Sequence, residues 1–169
     1  MYEQADDRLS TRTHDRLGLR LWRYAPLLFW IGVIIFGSGD GVSSAKTSRY
    51  LAVVVRFLLP GISDESLSVV NLALRKTGHF TVYAALALLA ARAFLTSSKS
   101  GLRQQWFFAA LALVAVCAVS DEYHQTSVPS RTGTIYDSLI DIAGGAFALT
   151  AVWFIRRRLR SHAVHNDYS

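Results

Sequence analysis

Four apolar runs dominate this chain, and each is too long and too poor in charge to be a surface element of a soluble domain. The first covers Tyr24 to Gly39. With Leu21 and Trp22 added it approaches the roughly 20 residues that a spanning helix needs. The second runs from Lys76 to Leu95, the third from Gln105 to Val119 and the fourth from Ile135 to Ile155. Only 18% of the residues are charged, against about 25% in an average soluble domain. Those charges are gathered in blocks between the runs. The pattern predicts an all-α fold, an integral membrane bundle of four transmembrane helices. Trp22, Tyr24 and Trp153 fall where aromatic side chains anchor such helices at the membrane interface. The formal net charge of +6 sits beside the apolar runs. Anionic lipid headgroups account for it better than nucleic acid, which is not expected as a partner. A single cysteine, Cys117, excludes a disulfide framework within the chain.

The connecting segments set the organisation. Residues 1–23 form a basic N-terminal segment in which Arg8, Arg12, Arg16 and Arg20 recur every four residues, with Leu9, Leu17 and Leu21 between them. This reads either as a short helix on the membrane surface or as a solvated tail. No small-residue cleavage site follows the first run, so a secretory signal is not expected. Residues 24–155 form the membrane domain and 156–169 a basic tail expected to be disordered at its end. Between the first and second spans, Tyr50 to Leu59 is apolar but closed by Pro60-Gly61, and is too short to span. Ser63-Asp64-Glu65 looks like a helix start. One or two short interfacial or re-entrant helices are therefore expected there. With the N-terminus in the cytoplasm, twelve of the 18 Lys and Arg lie on the cytoplasmic side and six on the other. The positive-inside rule then places both termini in the cytoplasm of a multi-pass protein of the cell membrane.

That topology brings the notable polar residues to one end. The second span enters from the outside with Lys76, His79 and Tyr83, spaced i, i+3, i+7 on one face. The third leaves at Asp121 and Glu122. The fourth enters with Asp137 and Asp141 at i, i+4, and Gly144-Gly145 further along would let a neighbouring helix come close. Ionisable groups in a span face the bundle or a wet cavity, so they are functional candidates. His79, oriented by a carboxylate, is a candidate general acid–base. Asp121, Glu122 and Tyr83 join it as candidate catalytic residues. Asp121, Glu122 and Asp137 are candidate ligands for a divalent cation, the one cofactor the donor set suggests. Lys76, Gln125, Arg131, Asp137 and Asp141 are candidate binding residues, and Arg131 could clamp a phosphate or carboxylate in a bidentate way. The competing reading is a structural ion network, in which Lys76 and Arg131 neutralise the carboxylates. Tyr123, His124 and Tyr136 read as interface residues rather than catalysts.

Two blocks resemble the VanZ-like family of bacterial membrane proteins. One is Arg75-Lys76-Thr77-Gly78-His79-Phe80-Thr81-Val82-Tyr83. The other is Asp121-Glu122-Tyr123-His124-Gln125, then Pro129-Ser130-Arg131, Asp137, Asp141 and Gly144-Gly145. They are similar to a family pattern K-x-x-H-F-x-x-Y, D-E-x-x-Q, P-x-R and a spaced Asp. The chain differs at Ser130, where the family often has Gly, and at Asp141, where it often has Asn. The resemblance extends over roughly Leu27 to Ile155 and implies a four-helix integral membrane protein. It also implies a link to the cell envelope, since the name-giving member is associated with low-level teicoplanin resistance. It supplies no reaction. Three functions follow from residues and resemblance together. The first is an enzyme or binding protein for an envelope lipid or lipid-linked precursor in the outer leaflet. The second is a membrane scaffold held by an ion network. The third is a small lipid or anion transporter, which with four spans would need to be a homo-oligomer.

Overall fold

The structure, a computed structural model, describes residues 3–38, 44–126 and 135–166, with side chains for 21–38, 48–126 and 135–161. Its elements are α1 (Glu3–Ser38), α2 (Ser44–Leu58), α3 (Asp64–Leu95), α4 (Ser100–Gln104), α5 (Trp106–Thr126) and α6 (Ile135–Asn166). Four of these helices carry stretches long and apolar enough to cross a membrane: Leu21–Ser38, Asp64–Leu95, Trp106–Thr126 and Ile135–Ser161. The expected four-span, all-helical bundle is what forms.

The boundaries differ from the sequence reading in instructive ways. α1 begins at Glu3 and continues through Pro26 into the first span, so the basic N-terminal segment is helical and continuous with it. The helix start at Ser63 is as expected: its Oγ accepts from the Ser66 N–H at 3.2 Å, and Asp64 and Glu65 place negative charge on the positive end of the helix dipole. That helix does not stop before Lys76, so the expected second short helix and the second span are one element. Among the described residues between the first two spans, α2 remains as a separate short helix. It meets α3 through the Pro60-Gly61 turn, where Gly61 has φ of 99°, and through an exposed Arg56–Asp64 pair at 2.5 Å. α5 likewise runs past Ser120 to Thr126, so Asp121, Glu122 and Gln125 sit on a helix rather than after one. α6 continues through the arginines to Asn166, and the end of the tail expected to be disordered lies outside the described residues.

Lipid offers little hydrophobic drive between helices, so the bundle relies on small residues that let backbones approach. Ala87, Ala90, Ala91 and Ala93 of α3, Ala110 and Ala118 of α5 and Ala148 of α6 are buried around Tyr83, Leu86, Val114 and Leu149. The α3–α6 interface is the largest. A Cβ placed on Gly144 would fall on the Phe80 carbonyl oxygen, and one on Gly145 would lie 2.7 Å from Val114 Cγ1. The close approach expected at this glycine pair is therefore made twice, to α3 and to α5. α1 is tied to α3 by Trp30 Nε1–H donating to the Val82 carbonyl at 3.0 Å, and to the connection after α3 by Tyr24 Oη to Ser97 Oγ at 3.1 Å. The outward residues Leu28, Phe29, Ile35, Phe36, Phe108, Val116 and Phe147 are exposed, as lipid-facing positions should be.

Candidate functional site

Each central helix turns polar on its buried face at the same end of the bundle. On α5 the buried stripe Ala110, Val114, Ala118 continues into Asp121, Glu122 and Gln125. On α6 the stripe Leu149, Ala148, Gly145 continues into Asp141, Ser138 and Asp137. On α3 the stripe Ala90, Leu86, Tyr83 continues into His79 and Arg75. Helical periodicity alone thus carries three polar stripes into one place.

Two sets of contacts result. In the outer one Arg75 and Lys76 both reach Asp137, at 3.3 and 3.4 Å, with side chains 30% and 40% exposed. In the inner one His79 Nδ1 lies 3.1 Å from Oδ1 of Asp141, whose side chain is fully buried. Asp121 accepts from Gln125 Nε2 at 3.1 Å and from the Ser38 hydroxyl at the end of α1. The Tyr83 hydroxyl donates to the Cys117 carbonyl at 3.4 Å, and that of Ser138 to the Ala118 carbonyl at 3.5 Å. An ionised carboxylate can only accept, so Asp141 selects the His79 tautomer with its proton on Nδ1. The Nε2 lone pair is then left for a substrate proton.

A cavity of about 400 Å³ opens between α1, α2, α3 and α5 beside this pair. Val33, Ile34, Leu51 and Leu74 give it an apolar wall, while Arg75, His79, Asp121 and Gln125 supply polar groups. Few, convergent polar groups on an apolar wall are the usual make-up of a ligand pocket. A second cavity of about 300 Å³ lies between α1 and α5 and shares Ser38 and Asp121. His124 lines that one, while Tyr123 and Tyr136 are exposed.

The candidate metal ligands fall into two groups. His79, Asp121, Glu122 and Asp141 each offer a ligand atom within 4.8 Å of the others, and Asp137 is not in the group. The ammonium and guanidinium of Lys76 and Arg75 claim Asp137 instead. Donors on opposite sides of one ion stand about 4–5 Å apart, so the four can surround a single cation. Asp141 Oδ2 and Gln125 Oε1 are buried and have no partner among the described residues.

Lys76, His79, Tyr83, Asp121, Glu122, Gln125, Asp137 and Asp141 are thus all at this end of the bundle. Arg131 lies outside the described residues. Ser38, Arg75, Asn71 and the α2 wall were not anticipated as site components. Arg75 stands one turn before His79, a signal the spacing did contain. Nothing in the sequence pairs Ser38 with Asp121.

A helical bundle with a one-sided polar cluster over an apolar cavity defines a multi-pass membrane protein with an embedded polar site. Residues 24–156 match the VanZ/LLP1 family, and the chain belongs to that family. No curated protein and no solved structure matches it.

Proposed function

We propose that this protein takes the polar headgroup of an envelope lipid or lipid-linked precursor into the α1–α2–α3–α5 cavity and acts on it with the His79–Asp141 pair. The observation that carries this reading is that pair itself: a histidine on a cavity wall, held from behind by a fully buried aspartate. His79 Nε2 takes or returns the proton at the reacting atom, and Asp141 steadies the imidazolium that forms. Such a positioned base is worth about 10²–10⁴ in rate. Arg75, on the same wall, attracts an anionic headgroup. The apolar wall suits an acyl or polyprenyl chain entering sideways from the bilayer. The charge bias favours the outer leaflet for this end, and the VanZ-like family brings with it a proposed link to glycopeptide (teicoplanin) resistance.

The test uses purified protein in nanodiscs of total bacterial lipid, comparing wild type with His79→Gln by mass spectrometry of the lipid extract. A headgroup species consumed only by the wild type, with both proteins melting alike, is the expected result. Identical extracts, together with a variant that unfolds, overturn the reading in favour of a structural network.

A second reading has its own support in the four donors within 4.8 Å and the unpartnered Asp141 Oδ2. There His79 is a ligand of a divalent cation rather than a base. Activity that survives chelation assigns His79 as base, while activity lost on chelation and restored by Mn²⁺ or Zn²⁺ assigns the cation.

A further inference from the structure

The opposite end of the bundle carries a cavity that none of this chemistry uses. It measures about 570 Å³ and lies between the start of α5 and the end of α6. Trp106, Trp153, Arg156, Arg157, Arg160 and Ser161 line it. Asp141 and Arg157 are separated along α6 by about 24 Å at helical rise, close to the depth of a bilayer's hydrocarbon core. The two cavities therefore sit at opposite membrane boundaries.

We infer that this cavity seats the phosphate of an anionic phospholipid in the leaflet on the side of the chain termini. Arg160 follows Arg156 by four residues and Arg157 by three, which makes it a neighbour of both on the helix surface, and all three line the one cavity. Among the described residues none of them pairs with a carboxylate; the described ion pairs all lie at the other end of the bundle. Three permanent cations gathered with no paired carboxylate among the described residues repel one another until an anion joins them. Guanidinium groups bind phosphate through two parallel hydrogen bonds. The Arg157 guanidinium is already held 5.3 Å above the Trp153 ring, which fixes its fork at the cavity. A lipid suits the site better than a soluble anion, because Trp106 and Trp153 flank it at interface depth and exposed Phe108, Phe154 and Ile155 lie next to it along the helices. Acyl chains leaving the seat would run along these side chains.

Arg158 provides the control, because it adjoins the three in sequence but does not line the cavity. Wild type, Arg157→Gln and Arg158→Gln would be purified from nanodiscs containing phosphatidylglycerol and phosphatidylcholine. Retained lipid would then be counted by native mass spectrometry. The wild type should keep phosphatidylglycerol in preference to phosphatidylcholine. Arg157→Gln should lose it roughly tenfold, the equivalent of one charge-assisted bidentate contact, while Arg158→Gln should match the wild type. If Arg157→Gln does not fold, Arg157→Lys serves in its place, since it keeps the charge and loses the fork, and an intermediate loss is expected. Equal losses in Arg157→Gln and Arg158→Gln overturn the proposal and reduce the arginines to general surface charge. Displacement of the lipid by inorganic phosphate alone overturns it in favour of a soluble anion.

Discussion

Asp137 and Asp141 stand one turn apart on α6, yet their surroundings assign them different work. Asp137 is buried against two cations whose own side chains are partly exposed, while Asp141 is sealed behind His79. Replacing Asp137 by Asn should leave Arg75 and Lys76 facing each other. The cost should be about 1–2 kcal/mol, below the 3–5 kcal/mol of a fully buried pair because water still reaches these side chains. Asp141→Asn should behave in the opposite way. It keeps shape and a hydrogen-bonding group, so the melting temperature should change little, but His79 loses its charge partner and turnover should fall by about 10²–10⁴. Thermal melts in detergent beside the lipid-extract assay separate the two. If both variants lost stability and neither lost activity selectively, the division of labour would be wrong. Sequence spacing made much of this legible, because Lys76, His79 and Tyr83 share one helical face and Asp137 and Asp141 another. Ser38 and Arg75 were not legible as partners. Each looks like the polar end of a span until a carboxylate on another helix is placed against it.

Two helices show why polar residues in a span are poor markers of its end. α3 was expected to begin its span at Lys76 and α5 to finish near Asp121, since charge usually closes an apolar run. Both continue instead, α3 from Asp64 and α5 to Thr126. The cost of charge on a buried helical face is offset by partners on the facing helices, which a single sequence does not display. What did show was the glycine pair, and its two members make a graded prediction. Gly144→Ala places a methyl on the Phe80 carbonyl oxygen, which belongs to a rigid helix backbone, so α3 and α6 must separate. Gly145→Ala meets both methyls and the Cβ of Val114, a side chain rather than a helix backbone, so the clash is milder. Overpacking typically costs about 1–3 kcal/mol. The Gly144 variant should fall at or above the top of that range and the Gly145 variant near the bottom. Melting temperatures of the two purified variants check the order, and the reverse order would mean that α3 and α6 pack less closely than described.

The whole bundle is polar-sited at one end and arginine-rich at the other, and its place in the cell depends on which end faces the cytoplasm. The 12-to-6 partition of Lys and Arg, reached from the 18 in the chain, favours the termini inside and the carboxylate end outside. Five of the six outward cations lie on α2 and α3, where Arg56 pairs with Asp64 and Arg75 and Lys76 pair with Asp137. A membrane-impermeant maleimide offers a direct check. Cys117 is the only native cysteine and is half-buried, so a Cys117→Ser background should be silent. In that background Glu65→Cys, exposed at the start of α3, should label in intact cells. Ser98→Cys, exposed between α3 and α4, should label only after the membrane is opened. The reverse pattern would place the His79–Asp141 cavity in the cytoplasmic leaflet. Its substrate would then have to be a lipid or precursor before export, while the geometry of the site and the chemistry drawn from it would be unchanged.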